Sequence, residues 1–354
     1  MKSGGSTLAL AAALASAVLF GATTPIAKEL LAGASPVMVA GLLYVGSGVG
    51  VSLVWLAQYR GKSPIGLVRS DWAWLVAATV VGGVIAPVLL MTGLRRLDAA
   101  TASLLLNLET VFTALLAWIA FREATSPRVM AGLLAIVAGG TLLAWRSQAA
   151  APTSIFGSLL VASACLAWAL DNNLTRKVSG ADARIIAAVK GLAAGGVNTT
   201  LALALGDKLP APSHVAAILL LGFVGYGLSL VLFVVALRHL GSARTGAYFA
   251  TSPFVGTAIA IALFGQPVTV LFWVAAALMA LGVWLHLHER HDHEHLHEPL
   301  THNHMHVHDA HHRHPHEADW LGEEPHSHEH RHEPLFHRHP HFPDIHHRHR
   351  HRHG

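Results

Sequence analysis

The stretch MTGLRRLDAATASLLLNLETVFTALLAWIAFREATSPRVMAGLLAIVAGGTL (residues 91–142) lies without a gap over VVALRHLGSARTGAYFATSPFVGTAIAIALFGQPVTVLFWVAAALMALGVWL (residues 234–285), at a constant offset of 143. Leu94, Arg95, Leu97, Ala100, Ala117, Phe121, Gly139 and Leu142 recur as Leu237, Arg238, Leu240, Ala243, Ala260, Phe264, Gly282 and Leu285, and the same offset carries Gly82 onto Gly225. Identities between apolar segments are weak evidence alone, but the matched arginines and the missing gaps strengthen them. Self-similarity at a fixed period marks a duplicated architecture.

Working outward, apolar runs long enough to span a bilayer, about 20 residues each, fall near 8–31, 36–58, 72–94, 99–121, 127–145, 155–173, 185–205, 213–236, 242–264 and 268–287. Ten runs and one internal offset give five helices per half. Because five is odd, the second half enters the membrane from the opposite side, the inverted repeat common among secondary transporters. The expected fold class is therefore an all-α integral membrane protein of about ten transmembrane helices in two inverted five-helix repeats, residues 1–150 and 151–285. A disordered His-rich tail, 286–354, follows. Lys2 with its following apolar run mimics a signal peptide, but apolar character continues through Leu31 and the segment has a counterpart in the second half.

Composition agrees. The 354 residues are 53% hydrophobic and 12% charged, against roughly one-quarter charged in soluble domains. Charge divides at the tail: residues 1–285 hold 17 Lys and Arg against 8 Asp and Glu, whereas residues 286–354 hold 7 against 12. The cations of the body sit in short connections rather than along one face, so no nucleic-acid partner is expected. With the N-terminus cytoplasmic, eleven of these cations fall inside and five outside, which by the positive-inside rule places both termini in the cytoplasm. The lone Cys165 carries no information on redox compartment.

The segment ASLLLNLETVFTALLAW (residues 102–118), followed by Phe121, Arg122 and Glu123, resembles the fourth helix of EamA-type members of the drug/metabolite transporter superfamily, and Ala236 through Pro253 echoes it. The resemblance covers about residues 8–285. It implies a carrier that moves small solutes, often outward, across a bacterial-type inner membrane, with lipid around it and no enzymatic role. Thr110 stands where the family usually has proline, although Pro253 keeps that feature in the second repeat. The tail is similar to the histidine-rich ends of bacterial nickel and cobalt efflux proteins.

Glu109 lies at the middle of its run, where an ionised carboxylate is costly and normally faces the bundle interior or water. A proton or a cation relieves that cost. Asn107, Thr110 and Thr113 extend one polar face, the offset places Ser252 opposite Glu109, and Asp171 with Asn172 and Asn173 forms a polar cluster near the inner end of the sixth run. Each has a plainer reading as helix cap or interhelical glue. Lys190 is expected to snorkel to the inner surface, and Asn198, Tyr226 and Tyr248 to line a cavity or glue helices.

Of 28 histidines, 26 lie at or after His286. His291, His293, His295 and His297, then His302, His304, His306 and His308, then His311, His312, His314 and His316, alternate with acids or cluster together. Imidazoles beside carboxylates suit nickel, cobalt or zinc, and alternate residues of an extended chain point to one side. With so few apolar residues and repeated prolines, the tail cannot bury enough surface to fold alone. No cofactor is required by any motif, and no Ser/His/Asp spacing, phosphate loop or paired carboxylates suggest catalysis. The combined expectation is a proton-coupled exporter of a divalent metal ion. An organic-metabolite exporter with a metal-buffering tail, and a membrane-anchored metal sensor or store, are the alternatives.

Overall fold

The computed structural model describes residues 3–58, 67, 69, 71–121, 127–150, 153–175, 178 and 182–287, together with four short tail segments. It separates into two compact units, Met1–His288 and Glu289–Gly354. In the first, ten helical spans follow one another: α1 (Ser3–Leu30), α2 (Pro36–Gln58), α3 (Asp71–Leu94), α4 (Ala99–Leu105 and Leu108–Phe121), α5 (Pro127–Ala150), α6 (Thr153–Thr175), α7 (Ala183–Ala204), α8 (Pro212–Gly222, continuing to Phe249), α9 (Ser252–Phe264) and α10 (Val270–Leu287). Among the described residues, eight helices are long and apolar enough to cross a membrane, and Ser252–Phe264 and Val270–Leu285 are shorter apolar helices. Leu53, Leu134, Leu159, Leu220 and Leu263 are more than half exposed. Apolar side chains turned outward on fully hydrogen-bonded helices are what a lipid solvent requires.

Packing follows the repeat. Helix α1 lies against α8 and α9, and its counterpart α6 lies against α3 and α4; α2 pairs with its counterpart α7, and α5 with α10. The last pair shows two-fold reciprocity at residue level. Gly139 abuts Ala275 and Met279, while Gly282, its equivalent 143 positions on, abuts Gly132 and Ile136, the equivalents of the other two. Such self-complementary exchange is what a two-fold relation produces. Between α2 and α7 the small pair Gly191 and Gly195 lies against Gly48 and Gly41, the close backbone approach that small-xxx-small spacing permits in membranes.

Two deformations repeat at the same offset. A π-helical turn runs over Thr79–Ile85 in α3 and over Phe223–Leu228 in α8. Helix α4 is interrupted at Leu106 and Asn107, and α8 and α9 are separated at Ala250 and Thr251. The eighth candidate span, Pro212–Ala236, falls where it is expected, but the helix itself does not stop there and continues to Phe249. In the first half the Asp98 carboxylate accepts the Thr101 amide at 2.8 Å and starts a new helix. Gly241 occupies the equivalent position and offers no side-chain acceptor, and there the helix runs on.

In the tail unit the described segments are strands β1 (Asp292–His297), β2 (Thr301–His306), β3 (His326–Arg331) and β4 (Leu335–Pro340). β1 pairs antiparallel with β4, and β2 with β3. The sequence predicts no independent fold here. Paired backbones satisfy their own hydrogen bonds without a core, and two-stranded ladders of this length are marginal alone in water.

Candidate functional site

The break in α4 sets the site. Around it the backbone tightens to i−3 bonds, Asn107 to Leu104, Glu109 to Leu106 and Thr110 to Asn107, at 3.0–3.2 Å. The Asn107 amide donates to the Leu104 carbonyl at 2.9 Å, and the buried Cys165 thiol of α6 lies 3.7 Å from the Leu105 carbonyl. Backbone groups freed by an interruption inside a membrane need such substitutes. Cys165 is thus a core residue that packs beneath the break.

Glu109 opens the second segment of α4 and is half-buried, as are Thr110 and Thr113. Its Oε1 accepts from Asn172 Nδ2 of α6 at 2.9 Å, a hydrogen bond that joins the two halves. One residue away, Asp171 receives the Lys190 ammonium at 2.5 Å and the Thr175 hydroxyl at 3.0 Å. Lys190 is therefore paired inward, with its side chain 15% exposed, and does not snorkel. Asn107 and Ser252 are buried. The Ser252 backbone carbonyl abuts Gly21 of α1.

The π-turn of α3 forms the adjoining wall. The Gly82 carbonyl accepts from Tyr44 Oη of α2 at 2.9 Å and from Trp168 Nε1 of α6 at 3.0 Å. Asn198 of α7, fully buried, donates to Val84 O at 3.2 Å. The Tyr44 and Tyr226 rings stand 5.7 Å apart, with Phe20 at the same distance from Tyr226. Tyr44 and Trp168 escape a sequence reading because an aromatic residue in an apolar run looks like any lipid-facing or core residue. Pairing opposite-sign residues 19 apart on two successive helices would have found the Asp171–Lys190 contact.

The family signature of EamA-like transporters matches residues 7–145 and again residues 155–287. The chain belongs to the EamA-like transporter family. An uncharacterized transporter from Methanothermobacter thermautotrophicus is 27% identical over 283 residues, covering 76% of this chain and 82% of that protein. One solved crystal structure shares the fold, with a TM-score of 0.59 at 18% identity over 80% of this chain and 96% of that one. This EamA-like protein is thus a multi-pass membrane transporter of a small solute, and the resemblance seen in residues 102–118 holds across both halves.

Among the described residues no group of three or more His, Cys, Asp or Glu is placed to hold a metal ion. Of the tail histidines, His293, His295, His297, His302, His304 and His306 fall in strands whose backbone alone is described, and His291, His308, His311, His312, His314 and His316 lie outside the described residues. What the body offers chemically is narrower. Asp171 is neutralised by Lys190, while the described partner of Glu109 is a neutral amide. Of these two carboxylates, Glu109 is the one without a cationic partner among the described residues.

Proposed function

We propose that this protein exports a divalent transition-metal ion, nickel or cobalt ahead of zinc, across the inner membrane in exchange for protons, with both termini cytoplasmic. The observation that carries the reading is Glu109 seated at the α4 break, hydrogen-bonded across the halves to Asn172 while the neighbouring acid is already neutralised. A carboxylate whose partner is neutral can hold a proton on one side of the membrane and a metal cation on the other. The histidine tail supports the choice of cargo: imidazoles tethered to the carrier would gather such ions, as a linked binding module does. Thiols and thioethers are few, with one Cys and six Met in the chain, which disfavours copper(I).

A second reading rests on the aromatic residues. Tyr44 and Trp168, which share the Gly82 carbonyl, and Tyr226 against Tyr44 also suit an organic ammonium, which aromatic faces attract. The tail would then buffer metal only.

Efflux of nickel, cobalt and zinc from preloaded cells decides between them. The arms are the intact chain, a chain ending at Leu285, and Glu109→Gln. Metal export requires loss of efflux with Glu109→Gln and weaker efflux without the tail. If the intact chain reaches the membrane and expels none of these ions, the organic reading replaces it. If Glu109→Gln expels metal like the intact chain, Glu109 is not the carrier group.

A further inference from the structure

We propose that Asp171 and Thr175, backed by the Gly82 turn, form a monovalent-cation site in which the Lys190 ammonium sits as a tethered ion. The inference holds whichever solute is carried.

Two oxygens from one turn of α6 converge on Lys190 Nζ, Asp171 Oδ1 at 2.5 Å and Thr175 Oγ1 at 3.4 Å. The Thr175 hydroxyl donates to the same Asp171 oxygen at 3.0 Å and so turns its lone pairs toward the cation. The other oxygen of Asp171 occupies the space that a side chain at position 82 would need. The carboxylate is thereby wedged against the π-turn of α3. That turn is itself fixed, because Tyr44 from α2 and Trp168 from α6 both donate to the Gly82 carbonyl. The acceptor side of the pair is built from rigid elements, whereas the cation arrives on a flexible four-carbon stem from α7.

The side chains of Asp171 and Lys190 are 11% and 15% exposed, a setting in which an unpaired charge is costly. An ammonium and a small monovalent metal ion meet the same demand, one positive charge offered to oxygen lone pairs. Lys190 supplies that charge from the chain itself, so the carrier needs no monovalent ion there. Removing the stem leaves a preformed oxygen site with a net negative charge, which an ion from solution fills.

The test uses the purified full-length protein in lipid nanodiscs, with thermal unfolding followed in sodium, potassium or choline chloride at about 0.15 M, a fixed ionic strength that equalises screening. The intact protein melts alike in all three salts. Lys190→Ala and Lys190→Gln melt lower in choline and recover by several degrees in sodium or potassium, since an ion that binds only the folded state stabilises it by mass action. The pair Asp171→Asn with Lys190→Ala, which removes both charges, loses the salt preference. Equal melting of a folded Lys190 variant in all three salts overturns the proposal, as does a salt preference that survives in the double variant. Aggregation of both single variants in every salt also overturns it, because a built cation site would be rescued by sodium or potassium.

Discussion

The π-turns of α3 and α8 are the same deformation at equivalent positions, yet their surroundings differ. In α3 the loosened carbonyls are taken by side chains from three other helices: Tyr44 and Trp168 on Gly82, and Asn198 on Val84. In α8 the Gly225 carbonyl accepts from Ser229 of the next turn at 2.5 Å, and Ser229 O in turn accepts from Ser16 of α1 at 2.7 Å. Such turns recur at functional sites. One copy is braced from outside and holds the charged cluster; the other is closed mainly by its own helix. Duplication supplied the frame twice, and the ionisable chemistry stands on one side of it.

The largest test of that asymmetry compares Glu109 with its equivalent, Ser252. Glu109→Gln is expected to reduce transport by about tenfold to a hundredfold, the range for losing an interaction with a charged group. Ser252→Ala is expected to leave transport near the native level, because Ser252 is buried and its carbonyl meets Gly21. Counterflow in proteoliposomes measures both, and similar losses in the two variants would show that the halves share the chemistry equally.

Next in size is the pair of glycines. A methyl at Gly82 would overlap the Asp171 carboxylate, and one at Gly225 would overlap the Thr23 hydroxyl. Displacing a buried ion pair costs about 3 kcal/mol or more, so Gly82→Ala should lower unfolding stability by that amount. Thr23 bonds within its own helix, to Leu19 O at 3.0 Å, and can give way. Gly225→Ala should cost about 1–2 kcal/mol. Equal costs in denaturant unfolding would mean that Asp171 is not wedged at the first turn.

These expectations also show what could be read in the chain beforehand. Ten apolar runs and the offset of 143 were legible because hydropathy and repetition are one-dimensional properties. Glu109 was legible because a carboxylate in mid-span is conspicuous. The break beside it was not. Pro253 marks the equivalent place in the second half, but Thr110 stands in its stead in the first, and the interruption is closed by the Asn107 amide and the Cys165 thiol. The partner of Lys190 was missed because a long stem near a helix end reads equally well as snorkelling; only the packing of α6, α7 and the α3 turn decides it. The run-on of α8 to Phe249 was not legible either, although Gly241 stands where Asp98 caps the first-half helix.

That cap gives a smaller prediction. Asp98→Ala removes the acceptor for the Thr101 amide and should cost about 1 kcal/mol, the usual value of an N-cap. Thermal unfolding measures the loss. A null result would mean that the helix start at Ala99 is fixed by packing, and that the absent cap at Gly241 does not explain the run-on of α8.

The smallest effect concerns the bracing itself. Tyr44→Phe removes one of two donors to the Gly82 carbonyl and leaves Trp168 in place, so the oxygen stays satisfied and the cost should be under about 1 kcal/mol. Trp168→Phe alone should exceed it because ring volume is lost as well. The informative quantity is the double variant. If the two donors back each other up, removing both leaves a buried carbonyl without either side-chain donor, and the combined loss should exceed the sum of the single losses by about 1 kcal/mol. Simple additivity would mean that the π-turn of α3 needs neither donor. The distinction between the braced and the self-closed turn would then rest on Asn198 and the Asp171 wedge alone.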